Sequence, residues 1–335
     1  MRARLVLFLA IAAACGHEAA WSPVAPPPAG PPTTAMPRRL TYNTGDDRSP
    51  AFWLAGSAIA FSRYDPVESA QPCIAVLPVE GGTLTAMRCP PPPSPADTFV
   101  STWTSPALSP DGRRVAFHWS RSASAAALGP WTSEIVVAPV DSPRAPIVRL
   151  PLQESFPQAY VNSLAKPAWT ASGTVRFLAT IDSIVKVKGG GAERYTDTFT
   201  VARFVAELDP ATGALTQVAG GDSAIAWTPG ASNDFWTVRE SARLIQVAGG
   251  TVTERGAFTH PIADIALVNG LVVATLTDTA AVEWLDPTNG NHGLIAMPGP
   301  VRQVSAAGGR RFVAEVERGV VLFGAPANLW LYEVP

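Results

Sequence analysis

Six times in this chain a short apolar segment built around a small residue is followed, across a glycine-bearing turn, by a second apolar segment. The fullest copy is Ser105-Pro106-Ala107-Leu108-Ser109-Pro110-Asp111-Gly112-Arg113-Arg114-Val115-Ala116-Phe117. Pro110 pre-sets the first turn dihedral, Gly112 takes a positive φ without steric cost, and Val115-Ala116-Phe117 resumes an apolar strand. The other copies are Pro50-Ala51-Phe52-Trp53 with Ile59-Ala60-Phe61, Pro167-Ala168-Trp169 with Val175-Arg176-Phe177, Ile225-Ala226-Trp227 with Phe235-Trp236, Ile265-Ala266-Leu267 with Val272-Val273-Ala274, and Val304-Ser305-Ala306 with Phe312-Val313-Ala314. The small residues fall at 51, 107, 168, 226, 266 and 305, giving gaps of 56, 61, 58, 40 and 39 residues.

A second hairpin follows each unit, as in residues 74–77 and 84–86 around Glu80-Gly81-Gly82, or residues 204–209 and 215–218 around Ala211-Thr212-Gly213. Four strands in a repeat of this length make a propeller blade. The expected fold is all-β, a six-bladed propeller of four-stranded antiparallel blades. The sixth copy ends one strand short, at residues 329–334, and Arg38-Arg39-Leu40-Thr41-Tyr42 is free to supply the missing strand. The N-terminal strand then completes the last blade and removes two exposed edges. The 33 Pro and 27 Gly suit many short strands and turns rather than helices.

Ahead of the repeats, Arg2 and Arg4 precede the apolar residues 5–11 and then Ala12-Ala13-Ala14-Cys15-Gly16. This is a charged start, a short apolar run and a small-residue cleavage site, too short to span a bilayer. Residues 1–14 are expected to be a signal peptide, with Cys15 as the lipidated residue after cleavage. Ala12 stands where a lipobox prefers Leu, so ordinary signal-peptidase cleavage is the alternative. Residues 15–37, rich in Pro, Ala and Thr, read as a semi-rigid tether, and residues 38–335 as the propeller.

The turn at residues 109–113 with Val115-Ala116-Phe117, and the lead-in from Leu40-Thr41 to Pro50-Ala51-Phe52, resemble the TolB-like six-bladed propeller repeats, of WD40-like type. The resemblance covers residues 38–335 and implies an interaction role in the periplasm or cell envelope. Residues 1–37 leave no room for the N-terminal α/β domain that TolB carries, so the likeness is to the repeat. Related repeats also front prolyl-oligopeptidase-like enzymes, whose Gly-x-Ser-x-Gly elbow this sequence lacks.

Of three cysteines, Cys15 belongs to the leader. A three-residue loop at residues 80–82 pairs Val79 with Thr83, numbers that sum to 162, as do Cys73 and Cys89. The two are expected to face each other and form a disulfide in an exported chain. Four histidines, at 17, 118, 260 and 292, share no metal-ligand spacing. Asp209 and Asp286 precede Pro and are expected to initiate turns. No catalytic residue, cofactor or metal ligand is assigned. A net charge of -2 without a basic stripe argues against nucleic acid.

The first three gaps exceed the last two by nearly twenty residues. The excess falls at residues 62–72, 120–133, 181–197, 90–104 and 151–166, connections that leave a blade on one face. Read as long loops on a rigid scaffold, they make that face the expected binding surface. Its candidates are Trp103, Trp119, Arg121, Trp131, Tyr160, Arg194 and Tyr195. The expected function is a non-catalytic, exported, lipid-anchored binding protein, monomeric, that docks an envelope protein or polymer and meets the membrane only through its anchor, on the outer membrane or elsewhere in the envelope. The alternatives are a lyase or hydrolase acting on a sugar or lactone in the channel, and a small-ligand binder.

Overall fold

The computed structural model describes residues 36–42, 45–65, 71–90, 99–123, 132–155, 160–161, 166–189, 192–318 and 326–335. The signal peptide, Cys15, the tether up to residue 35, and Trp131 lie outside the described residues. Strand β1 (Arg38–Arg39) comes first. Blade one is β2 (Asp46–Trp53), β3 (Ala58–Tyr64), β4 (Cys73–Pro78) and β5 (Ala86–Arg88). Blade two is β6 (Phe99–Leu108), β7 (Arg114–Ala123), β8 (Thr132–Pro139) and β9 (Val148–Pro151), followed by a short helix α1 (Leu152–Ser155). Blade three has an inner strand broken into β10 (Tyr160–Val161) and β11 (Ala168–Trp169), both paired with β12 (Val175–Gly189), then β13 (Ala192–Leu208) and β14 (Leu215–Asp222). Blade four is β15 (Ala226–Pro229), β16 (Phe235–Arg239), β17 (Arg243–Ala248) and β18 (Thr251–Ala257). Blade five is β19 (Ile262–Val268), β20 (Leu271–Leu276), β21 (Ala281–Leu285) and β22 (His292–Ala296). Blade six is β23 (Val301–Ala306), β24 (Arg311–Glu317) and β25 (Ala327–Glu333), with β1 as its fourth strand.

The six blades are therefore antiparallel and close into a ring as the repeat requires. Arg38 pairs with Leu331 and Arg39 with Trp330. Leu40 N–H donates to Leu329 O at 2.7 Å, and Leu329 N–H donates to the buried Thr41 Oγ1 at 3.0 Å. Glu80, in a turn of blade one, ties the seam from outside: its two oxygens lie 2.6 Å from Arg38 Nη2 and 2.6 Å from Arg311 Nη1.

Among the described residues the apolar core is divided into separate clusters. Apolar clusters lie between neighbouring blades, because each sheet is apolar on both faces and buries each face against the next blade. Leu40, Ile59, Phe61 and Leu77 pack on Val313, Leu329 and Leu331 between blades one and six. Ile135 and Val137 meet Val175, Phe177 and Leu208 between blades two and three. The second strand of five blades buries a phenylalanine: Phe61, Phe117, Phe177, Phe235 and Phe312. Each is worth about 1.5–3 kcal/mol of burial on general transfer grounds.

The turns work as their residues demand. Ser109 Oγ donates to Asp111 Oδ1, Arg114 N–H donates to Ser109 Oγ, and Gly112 sits at φ 67°. Trp53 of blade one lies against that glycine, where a Cβ would come within 2.4 Å of its ring. Only glycine lets the two blades approach so closely. Asp209 accepts from Ala211 N–H (2.8 Å) and Thr212 Oγ1 (2.8 Å), and Asp286 from Thr288 N–H (2.9 Å), so both do begin their turns. The hydrogen bonds they accept hold both carboxyls below their ordinary pKa.

The register about the blade-one hairpin also holds. Ile74 pairs with Arg88, Ala75 with Met87 and Val76 with Ala86, and Cys73 and Cys89 are disulfide-bonded with Cα atoms 4.2 Å apart. The long connections do not all hold as loops. Residues 181–189 and 192–197 continue β12 and β13, giving strands of 15 and 17 residues. Residues 99–104 and 120–123 likewise extend β6 and β7. The alternating and β-branched run Ile181-Asp182-Ser183-Ile184-Val185-Lys186-Val187 explains the hairpin. Much of the extra length in blades two and three is lengthened sheet.

Candidate binding sites in the central channel

The inner strands line the channel, and four of them break register in the stretch leading up to the small residue of the repeat. The breaks fall between Arg48 and Ala51, Thr104 and Ala107, Ile262 and Asp264, and Val301 and Val304. Ser49 and Ser105 sit at these bulges with φ 55° and 50°. A bulge leaves a residue outside the ladder and re-aims it. Two residues before each small residue of the repeat stand Ser49, Ser105, Lys166, Ala224, Asp264 and Gln303, one from each blade.

Two members of this column carry opposite charge, and they meet. Lys166 Nζ lies 2.9 and 2.8 Å from Asp264 Oδ1 and Oδ2, 2.8 Å from Ile265 O and 2.9 Å from Val304 O. Asp264 Oδ2 also accepts Val304 N–H at 2.9 Å. Blades three, five and six are thereby joined through one ammonium group inside the channel. Both side chains are largely withdrawn from solvent, so the pair must satisfy itself.

Lys166 and Trp227 border both of the channel's chambers. On the face of the glycine turns lies a cavity of about 440 Å³, walled by Phe52, Trp53, Leu108, Trp169, Trp227 and Leu267, with Leu54 at its border 75% exposed. The indoles there are fixed by hydrogen bonds across blades, Trp169 Nε1–H to Ala107 O (2.9 Å) and Trp227 Nε1–H to Lys166 O (3.2 Å). Toward the opposite face lies a charged cavity of about 470 Å³, bordered by Arg48, Lys166, Arg203, Arg302, Asp264 and Glu315 with Leu178, Ile225 and Trp227.

Around the seam of blades one and six the carboxylates are held by cations and backbone. Glu315 accepts Ser49 N–H at 2.8 Å and Arg48 Nη1 at 3.3 Å, yet full burial pushes its carboxyl up to about 7. Burial likewise pushes Asp47 up to about 7, against the pull of Arg63 at 3.4 Å. Asp46 accepts Ala327 N–H at 2.7 Å. Among the described residues no three His, Cys, Asp or Glu side chains stand together as a metal-ligand set. His118 is buried between Thr104 Oγ1 (3.1 Å) and Ser133 Oγ (2.6 Å), and loss of solvent lowers its pKa to about 4.

The described residues of the expected binding face lie in blades two and three. Trp103 is fully buried, its ring 5.1 Å from Phe117 and 6.3 Å from Trp119. It lies in β6 opposite Trp119 in β7, so it packs between blades and presents nothing to a partner. Trp119 is half-buried beneath the Arg149 guanidinium, 4.5 Å from the ring. Arg121 is half-buried and pairs in the ladder with Ser101 and Thr132. Tyr160 lies in β10 opposite Asp182, while Arg194 and Tyr195 lie in β13 opposite Val187 and Lys186. Lys166 and Asp264 escaped the sequence reading. Their signal is the repeat column itself, in a chain with three lysines in all.

No family model matches this chain, and no curated protein matches it. Solved structures do. A luciferin-regenerating enzyme is similar at 10% identity and TM-score 0.54, over 88% of this chain and 94% of that one. The WD40 repeats of RRP9 are similar at 14% identity and TM-score 0.52, over 91% and 99%. A gluconolactonase from Xanthomonas campestris is similar at 14% identity and TM-score 0.52, over 92% and 99%. Enzymes and WD40 scaffolds thus share this WD40-like propeller architecture, and identities this low speak for fold alone.

Proposed function

We propose that this propeller is a non-catalytic binding protein that receives an apolar side chain of a protein partner in the turn-face mouth of its channel. The observation that carries the reading is the cavity of about 440 Å³ walled by Phe52, Trp53, Trp169 and Leu267, with Leu54 exposed at its border. A preformed apolar hollow beside an exposed leucine favours insertion of an apolar group. Its aromatic walls are pinned by hydrogen bonds between blades, so little ordering opposes binding.

Export and lipid anchoring belong to the same proposal. The charged start, the apolar residues 5–11 and the small residues before Cys15 support it, and a disulfide suits an oxidising compartment. The TolB-like likeness of the repeats agrees with a role in the cell envelope. A photo-crosslinking residue placed at Leu54 is expected to capture a discrete envelope protein, and one placed at the exposed Leu294 of blade five is not. Equal capture at both positions counts against the site. Radiolabelled palmitate is expected in the wild-type chain and absent from Cys15→Ala.

A second reading, a hydrolase or lyase on a sugar or lactone, is favoured by Glu315. Its carboxyl borders the charged chamber and holds a proton up to about pH 7, as a general acid does. Lactone hydrolysis abolished by Glu315→Gln in a chain of unchanged stability would favour this reading over the first.

A further inference from the structure

We propose that the charged chamber binds a small organic carboxylate, with Arg203 as the residue that receives the carboxyl group. This site is separate from the apolar mouth and stands whether or not that mouth takes a partner.

The chamber is bordered by four cations, Arg48, Lys166, Arg203 and Arg302, and two carboxylates, Asp264 and Glu315. Three of the cations are already matched. Lys166 holds Asp264, Arg48 holds Asp46 and Glu315, and Arg302 holds Glu317 at 2.8 Å. Arg203 is different. Among the described residues it makes no ion pair; its Nη2 donates only to Thr200 Oγ1 at 3.3 Å. The Thr200 hydroxyl itself donates to Asp182 Oδ1 at 2.8 Å. Arg203 Nε is buried and has no acceptor. A guanidinium that borders a cavity without a carboxylate partner calls for an anion, and a planar carboxylate meets its Nη edge in fork geometry.

The remaining wall selects the rest of the ligand. Leu178, Ile225 and Trp227 give the chamber an apolar side on blades three and four, while Ser49 and Gln303 line it from blades one and six. A volume of about 470 Å³ lies within the usual size of a small-molecule site. An inorganic anion would leave the apolar side uncovered, and a neutral molecule would leave Arg203 unanswered. A carboxylate on a compact apolar body satisfies both.

The test titrates benzoate, benzyl alcohol and inorganic phosphate into the wild-type chain and into Arg203→Gln, Arg203→Lys and Arg255→Gln, by calorimetry at low salt. Benzoate is expected to saturate at one site, at least about tenfold tighter than benzyl alcohol or phosphate. Arg203→Gln should lose about tenfold or more, Arg203→Lys less, and Arg255→Gln, on the outer strand of blade four, nothing. Arg203→Lys keeps the charge, so a graded loss separates recognition from a mere folding defect. The proposal is overturned by the absence of saturable benzoate binding, by wild-type affinity in both Arg203 variants, or by benzyl alcohol or phosphate binding as tightly as benzoate.

Discussion

Lys166 and Asp264 occupy the same place in their respective repeats and meet inside the channel at 2.8 Å, two blades apart. The ammonium group has three hydrogens and four oxygen neighbours, all from blades five and six. The pair works as a crossbar that fixes the bore of the ring and divides its interior into an apolar and a charged half.

Removing one end of the crossbar should be expensive. Lys166→Ala leaves Asp264 buried beside backbone carbonyls, and such a loss costs about 3–5 kcal/mol. Urea unfolding is the measurement, with the midpoint falling and the slope unchanged. A loss below about 1 kcal/mol would put the pair in the class of solvent-screened surface bridges instead.

The seam carboxylates make stability depend on pH in an unusual direction. Glu315 rises from 4.5 to about 7 on folding, so between those values the folded chain holds a proton that the unfolded chain has released. Stability from this group is complete below about pH 4.5 and is lost as pH rises through 7; Asp47 acts in the same sense from 3.8 to about 7. Each accounts for on the order of 3 kcal/mol across its window. Glu315→Gln should flatten the slope of unfolding free energy between pH 5 and 7, and an unchanged slope would count against the assignment.

Reducing the Cys73–Cys89 bond frees a segment with a sequence separation of 16 residues. The expected loss is roughly 3 kcal/mol on the chain-entropy model. Thiol labelling under denaturing conditions should find neither cysteine free until a reductant is added. Labelling of either without reductant would contradict the pairing.

The ring seam offers a fourth test. A chain beginning at residue 43 lacks β1, Leu40 and Thr41, so β25 becomes an open edge beside an uncovered apolar cluster. Exposed edges pair with other chains. Size-exclusion chromatography should show oligomers for this truncation and a monomer for a chain beginning at residue 36. Two identical elution profiles would mean that the first strand is not needed for closure.

What could be read from residues alone was what local chemistry decides. The Ser109-Pro110-Asp111-Gly112 turn fixes its hairpin whatever surrounds it, and the sum of 162 carried from the Gly81-Gly82 turn to the cysteines because no bulge intervenes in that hairpin. Trp103 and residues 181–189 and 192–197 depart from expectation for one reason. Length beyond the minimal blade is not loop where alternation continues the strands. Trp103 then faces inward by register with Trp119. The Lys166–Asp264 contact lies beyond any local rule. It needs the copies superposed as a ring before a lysine and an aspartate 98 residues apart become neighbours.

Blade six contains the chain's one covalent interruption, between two adjacent antiparallel strands related by the Arg38–Leu331 pairing. It is a hairpin lacking its bend. Joining residue 335 to residue 36 through a short linker and opening the chain at the Asn269-Gly270 bend would yield a circular permutant with the same interior. The order in which the blades are synthesised is thus separable from the shape they make.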